Sequence, residues 1–308
     1  MPNYQGVWSL SEQYQNASGW PSPPPPATAL FSAGNSVDFL LIATLGNASD
    51  WGDLLSSNQP NGAALGSVAR GLFAGGYDGS FIDTISFLTF AAQGDAVDFG
   101  DLSVARYGLA GLSNSTRGVW AGGTASGNNY SNITDYVTIA SAGNAIDFGD
   151  LTTGVDSLAA CASATRGLVA GGQPRTNVIG YITIDSAGNA ADFGDLSAAL
   201  NNLSGCSSNT RGVFAGGFSG SANVDNIDYV TITSTGNAAD FGNLTSAKRS
   251  AGGASSVLRG LFGGGIAASN TNSVDYITIA STGNASDFGD LILTGLNAAC
   301  SNAHGGLS

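Results

Sequence analysis

Charge and chemically reactive side chains are scarce in this sequence. Charged residues make up 10% of the 308, with one lysine (Lys248), one glutamate (Glu12) and one histidine (His304). One histidine cannot supply a copper site, and nothing around it forms a catalytic dyad or triad. Cys-x-x-Cys, a phosphate-binding glycine loop and a His/Cys ligand cluster are all missing. The expectation is a non-enzyme with no cofactor and no metal. The three cysteines, Cys161, Cys206 and Cys300, are odd in number and fall at repeat spacing. They read as small buried apolar residues rather than bridge partners. No run of 18 apolar residues marks a transmembrane helix, and no basic stretch followed by an apolar core marks a secretory signal. A net charge of −13 repels phosphate, so neither nucleic acid nor an anionic membrane is an expected partner.

What the sequence has is apolar residues (43%), 46 glycines and a repeat. Arg-Gly recurs at Arg70, Arg117, Arg166, Arg211 and Arg259, and His304-Gly305 falls in step with it. Each Arg-Gly opens an apolar run that ends in glycines, such as VWAGG at 119–123. A variable loop and an alternating segment follow, such as TDYVTI at 134–139; then a Gly-Asn turn; then a segment such as AIDFGDL at 145–151. A segment of small residues, such as LAACAS at 158–163, opens the next unit. All are strand-sized with turns between, and the alternation in the Tyr-containing segment is that of a half-buried strand. The Gly-Asn turn suits a hairpin, because both residues tolerate positive φ.

The first copy lacks its small-residue strand, and residues 297–308 hold a spare one. Four strands in units of 45–49 residues, with a shared first unit, predict an all-β, six-bladed β-propeller of four antiparallel strands per blade. The first blade, 27–54, is completed by the C-terminal strand in 297–308. The others span 63–102, 110–151, 158–196, 203–244 and 251–291. The strands of each unit are called first (small residues), second (Arg-Gly to Gly-Gly), third (the Tyr segment) and fourth (Asp-Phe-Gly-Asp).

The fourth strand carries carboxylates three apart: Asp50/Asp53, Asp98/Asp101, Asp147/Asp150, Asp192/Asp195 and Asp287/Asp290, with Asp240/Asn243 in the fifth copy. Paired carboxylates suit Ca2+, but no complete ligand loop accompanies them. Charge that protects an outer strand edge from pairing is the favoured reading. The repeating Arg reads as architectural, fixing the turn between first and second strands through a nearby Asp or carbonyl. His304 reads as its substitute in that turn.

Loops alternate between two faces. The turns joining first to second and third to fourth strands are uniform. The loops on the other face vary in length and chemistry, and carry Tyr77, Asp78, Asn128, Asn129, Tyr130, Gln173, Arg175, Phe218, Asn270 and Asn272. Variable loops on a rigid scaffold are where binding is expected, and Tyr and Asn suit sugar or protein contact.

Residues 1–26 lie outside the repeat and form an attachment segment. Ser9-Leu10-Ser11-Glu12 has capping-box spacing and predicts a short helix over 10–16. Val7, Trp8, Leu10 and Tyr14 give it an apolar side, and Trp20 precedes a stiff extended spacer, Pro21 and Pro23 to Pro26. Such a segment either docks on another subunit or folds back on its own propeller.

Two resemblances add to this reading. The glycine pair followed by two aromatic-bearing strands resembles the kelch repeat over residues 28–308. Phe99, Phe148, Phe193, Phe241, Phe288 and Trp51 stand where that family places its Trp, and Arg106 and Arg249 match its Arg before the first strand. Residues 6–26, with Gly6-Val7-Trp8-Ser9-Leu10 and Trp20-Pro21, resemble the N-terminal segment of structural proteins of tailed, notably marine, phages. That resemblance implies a virion component: a tail, fibre or capsid-decoration subunit. Its N-terminus would dock on other virion proteins, and its propeller would be displayed outward for host-surface glycan or protein. The alternative is a carbohydrate- or protein-binding kelch-like module of a bacterial or secreted protein.

Overall fold

The computed structural model describes residues 26–55, 62–127, 129–295 and 298–307. The attachment residues Val7, Trp8, Leu10, Tyr14 and Trp20, the expected helix and Asn128 lie outside them. The described chain is all-β. Its helical content is one 3-10 turn, Gly305–Leu307, and among the described residues no helix is long and apolar enough to cross a membrane.

Six antiparallel four-stranded sheets run in chain order. In five of them the first strand is the small-residue segment that opens its own repeat. In the remaining sheet Ala298–Ser301 pairs with Thr28–Ala33, followed by Ser36–Leu41 and Ser49–Asp53. The C-terminal strand therefore completes the first sheet. The six first strands pack side by side in a cycle. Ala63–Gly66 lies against Ala110–Ser113, followed by Ala159–Ala162, Ser204–Ser207, Gly252–Ser255 and Ala298–Ser301, which lies back against Ala63–Gly66. A seventh, three-stranded sheet (Arg106–Tyr107, Thr124–Ala125, Asn129–Tyr130) was not expected; it lies in the variable loops.

Small residues in the first strands follow from how closely they approach. A Cβ on Gly111 would stand 2.5 Å from Ala64 O, and one on Gly253 2.2 Å from Gly205 O. Serine hydroxyls fasten neighbours in the same ring: Ser113 Oγ donates to Gly66 O (2.6 Å), Ser255 Oγ to Ser207 O (2.8 Å) and Ser301 Oγ to Ser255 O (2.6 Å). Apolar cores lie between adjacent sheets. Leu72 and Phe99 of the second sheet pack with Trp120 and Val137 of the third. Within a sheet, the third-strand ring meets the fourth-strand ring edge-on, as in Tyr136–Phe148 (5.7 Å, 82°). This geometry contributes about 0.5–1.5 kcal/mol per pair beyond the area it buries.

The repeating Arg is architectural, but the reading that it fixes its own turn is corrected: its side chain acts between sheets. Arg70 Nη1 donates to Ile139 O of the next sheet (2.9 Å), its guanidinium 4.8 Å from the Phe87 ring of its own. Arg117, Arg166 and Arg211 repeat the arrangement, and Arg259 carries it from the sixth sheet to Ile42 O of the first. The turn itself is fixed by a small polar residue: Asn114 Oδ1 accepts from the Thr116 and Arg117 N–H groups. The turn asparagines also serve the neighbouring sheet. Asn144 Oδ1 accepts from Asp101 N (3.1 Å), and Asn47 Oδ1 from Asp290 N (3.1 Å). The positive-φ rationale holds for most of the turn glycines, such as Gly143 (φ 158°), and is corrected for the asparagines: among the described residues the non-glycine positions with positive φ are Ser157, Asn202 and Ser250, none of them in these turns. The glycine of Asp-Phe-Gly-Asp is demanded by the same docking, since a Cβ on Gly100 (φ +143°) would lie 2.6 Å from Gly143 C of the next turn.

His304 does not take the repeating Arg position. Thr28 fills that position in the first sheet, and the turn is assembled from two separate stretches of chain. Asn302 Oδ1 accepts from Thr28 N (2.8 Å), as Asn114 does for Arg117, while Asn302 Nδ2 donates to Pro26 O (3.1 Å). Released from the turn, His304 points into the end of the channel enclosed by the first strands.

Candidate interaction face

The channel is too small to be the site. Its cavity is about 50 Å³, room for a few waters at roughly 10–15 Å³ each. The 3-10 turn crosses its mouth on the uniform-turn side, where Cβ atoms on Gly305 and Gly306 would lie 2.1 Å from Ser208 O and 2.0 Å from Ser113 O. The His304 Nδ1 accepts from Gly306 N (3.1 Å), which leaves Nε2–H to donate to Gly66 O (2.9 Å). Ser113 Oγ is 3.2 Å from Nε2. All three cysteines are free and buried around this channel. Burial pushes the Cys161 thiol up to about 12 and raises Cys206 and Cys300 as well. Each sulfur is inert packing: Cys161 Sγ lies where a Cβ on Gly212 would stand, 2.8 Å away.

Burial also holds the His304 imidazole below its ordinary value, against a weaker upward pull from the Gly66 hydrogen bond. The folded chain thus favours the neutral ring. Stability from this group is complete above the ordinary histidine value near 6.5 and is lost as pH falls through the lower folded value. Burial raises Asp38 and Asp156, so these act in the opposite sense and strengthen the fold as pH falls. Comparing wild type with His304→Gln isolates the histidine. Thermal melts should show wild type losing stability relative to the variant between pH 7 and pH 5; parallel curves would remove this role.

The opposite face is built from the variable loops, and there the sequence candidates separate into groups. Tyr77, 42% exposed, packs its ring against Phe81 (5.4 Å) and Tyr107 (5.7 Å), and Phe81 stacks on Tyr107 (5.8 Å, 25°). Tyr107 pairs with Thr124, which pairs with Tyr130, 43% exposed. Tyr77 and Tyr130 are thus joined through a small sheet into one aromatic surface, with Asp78 and Asn129 exposed beside them. Asp78 Oδ1 accepts from Ser80 N (3.0 Å) and shapes its own loop.

A polar stretch continues from this surface. Thr124 Oγ1 donates to Asp156 Oδ2 (2.5 Å), Asp156 bridges Gln173 through the backbone, and Asn201 Nδ2 donates to Gln173 Oε1 (2.9 Å). Phe218 bridges Asn201, and the Arg249 guanidinium lies 4.7 Å from the Phe218 ring. Arg175 is exposed and packs over Gly220. Asn270, exposed, continues this stretch, since it bridges Ile266, which bridges Arg249; Asn272 Nδ2 is spent on Leu291 O (3.0 Å).

Phe81, Tyr107, Asp156 and Asn201 were missed by sequence reasoning, and Arg249 was singled out only for its place in the repeat. All but Phe81 stand just ahead of a first strand, in the loop arriving from the preceding sheet. A comparison of that slot across repeats could have found them. The same comparison corrects the pairing of Arg106 with Arg249. Structurally, Arg106 matches Lys248: Arg106 Nη1 lies 2.8 Å from Asp135 Oδ2, and Lys248 Nζ lies 3.2 Å from Asp275 Oδ2, all four fully or almost fully buried. Arg249 corresponds to Tyr107, and it faces outward.

No group of three or more His, Cys, Asp or Glu side chains that could hold a metal ion occurs among the described residues. No protein-family model matches the chain, and no curated protein matches it.

Proposed function

We propose that the six sheets are the blades of a closed, kelch-like β-propeller, and that the protein is a non-enzymatic structural component of a tailed-phage virion. The cycle of first strands and the Arg259–Ile42 contact across the junction of sixth and first sheets support closure. One observation carries the display reading. The described chain enters at Pro26, beside Asn302, on the uniform-turn face, directly opposite the aromatic and polar loops. Docking through residues 1–25 therefore turns Tyr77, Tyr107 and Tyr130 away from the particle. The phage-like sequence at 6–26 supplies the particle. The test is gold labelling of particles purified from the lysate in which the protein is made, with an epitope inserted beside Gly127. The expected result is particle-bound label on the outer surface; particles free of the protein overturn the reading.

A second reading, a carbohydrate- or protein-binding module, is favoured by the exposed aromatic surface, since rings suit the C–H faces of sugars. Glycan binding by a protein that never accompanies particles would select it.

A further inference from the structure

The uniform-turn face is not uniform in polarity. The two residues at the tip of each turn between first and second strands are Ser115-Thr116, Ala164-Thr165 and Asn209-Thr210 in the third, fourth and fifth sheets. In the sixth, first and second sheets the corresponding residues are Val257-Leu258, Pro26-Ala27 and Val68-Ala69. These three sheets are consecutive in the cycle. Their turns meet at the channel mouth, where Ser256 bridges Ala303 and His304 reaches Gly66 O. Half of the inner ring of turns on this face is therefore one apolar arc, and its large side chains stand in solvent: Leu258 is 69% exposed, Val68 56% and Val257 40%. None of them belongs to the apolar cores between sheets.

Pro26 is at the centre of that arc. Upstream are 25 residues that carry Val7, Trp8, Leu10, Tyr14 and Trp20 and a single charged side chain, Glu12. Two apolar surfaces, each costly to leave in water, are thus joined by a short spacer. We infer that residues 1–25 return onto the apolar arc and cover it. The spacer allows this. Six residue steps lead from Trp20 to Pro26, about 19 Å at ~3.1 Å per extended residue, against ~10 Å between packed sheets. Trp20 can therefore stand over the turn of either neighbouring sheet. The lack of charge on both sides suits the match, since the nearest cations, Arg70 and Arg259, are already spent on carbonyls and rings. This inference is independent of the virion reading. If both hold, the attachment segment and the propeller present one rigid docking surface in place of a loose tether.

Tryptophan fluorescence of the full chain tests it. Trp51 and Trp120 are 7% and 0% exposed, so acrylamide quenching reports on Trp8 and Trp20. The double variant Val68→Asp/Leu258→Asp alters only positions outside the apolar cores and should keep a cooperative melt. Its quenching constant should rise about twofold, as two of four tryptophans pass from apolar contact into water. Thr116→Asp/Thr210→Asp, on the polar half, should leave quenching at the wild-type value. Equal quenching in wild type and Val68→Asp/Leu258→Asp overturns the inference, as does an equal rise in the polar-half variant. Wild-type shielding that vanishes on dilution, together with a dimer in sedimentation, overturns it in favour of a second copy on the arc.

Discussion

Removal of residues 298–308 should abolish cooperative unfolding. The strand Ala298–Ser301 pairs with Thr28–Ala33 on one side and packs between Gly252–Ser255 and Ala63–Gly66. Without it Leu30 and Phe31, both at 0% exposure, lose their cover and the cycle opens. Losing much of the burial of two large side chains costs about 1.5–3 kcal/mol each, and about four ladder hydrogen bonds add ~1 kcal/mol each. The sum is on the order of the ~5–15 kcal/mol that holds a domain folded. Circular dichroism during heating should show a broad, weak transition at least roughly 15 °C below that of the intact chain. A peptide of residues 296–308 should restore the transition. A truncated chain that melts within a few degrees of the intact one would refute closure by this strand.

Lys248→Met should be strongly destabilising although it lies away from the apolar cores. Lys248 is 1% exposed, yet its Nζ lies 3.2 Å from Asp275 Oδ2, 3.0 Å from Phe262 O and 3.3 Å from Ser273 O. Burial lowers its tendency to hold a proton, and Asp275 opposes that. Removing the cation leaves Asp275 as an unpaired buried charge, held by the Thr245 hydroxyl alone among side chains. The cost is about 3–5 kcal/mol, or roughly 10 °C in melting temperature. Lys248→Met/Asp275→Leu should recover most of the loss, because a well-packed apolar pair avoids desolvation. The fourth sheet shows the apolar solution in place: Val155 fills the slot of the cation, and Gly180 fills that of the aspartate. If the double variant is as unstable as Lys248→Met alone, the charge argument fails.

The strand content, its boundaries and the completion of the first sheet were legible because side-chain period and turn chemistry are local and recur in every unit. Residues whose partners lie in a different repeat were harder. Arg-Gly was visible as punctuation, but the Arg acts on the next sheet's carbonyl. Its glycine exists because Leu65, Leu112 or Cys206 of the preceding first strand occupies the space of its Cβ. Lys248 and Arg249 are adjacent in sequence, and only burial tells which is buried against Asp275 and which covers Phe218. His304 kept the repeat spacing while leaving the repeat position, since Thr28 arrives there from the far end of the chain. The interaction face was half legible. Variable loops announced Tyr77 and Tyr130, while Tyr107 and Asp156 join them only when consecutive sheets are packed side by side.

The place of Thr28–Ala33 in its sheet governs how the molecule bears load. A pull applied through residues upstream of Pro26 acts along the axis of this strand. The strand is flanked on both sides, with six residue pairs to Ser36–Leu41 and four to Ala298–Ser301. Such a pull loads both ladders in shear, with their hydrogen bonds strained together. Peeling, which would break them one at a time, is not available from that direction. A tether at this strand resists extraction far better than one at an outer strand such as Ser49–Asp53, which has a single neighbour and would unzip.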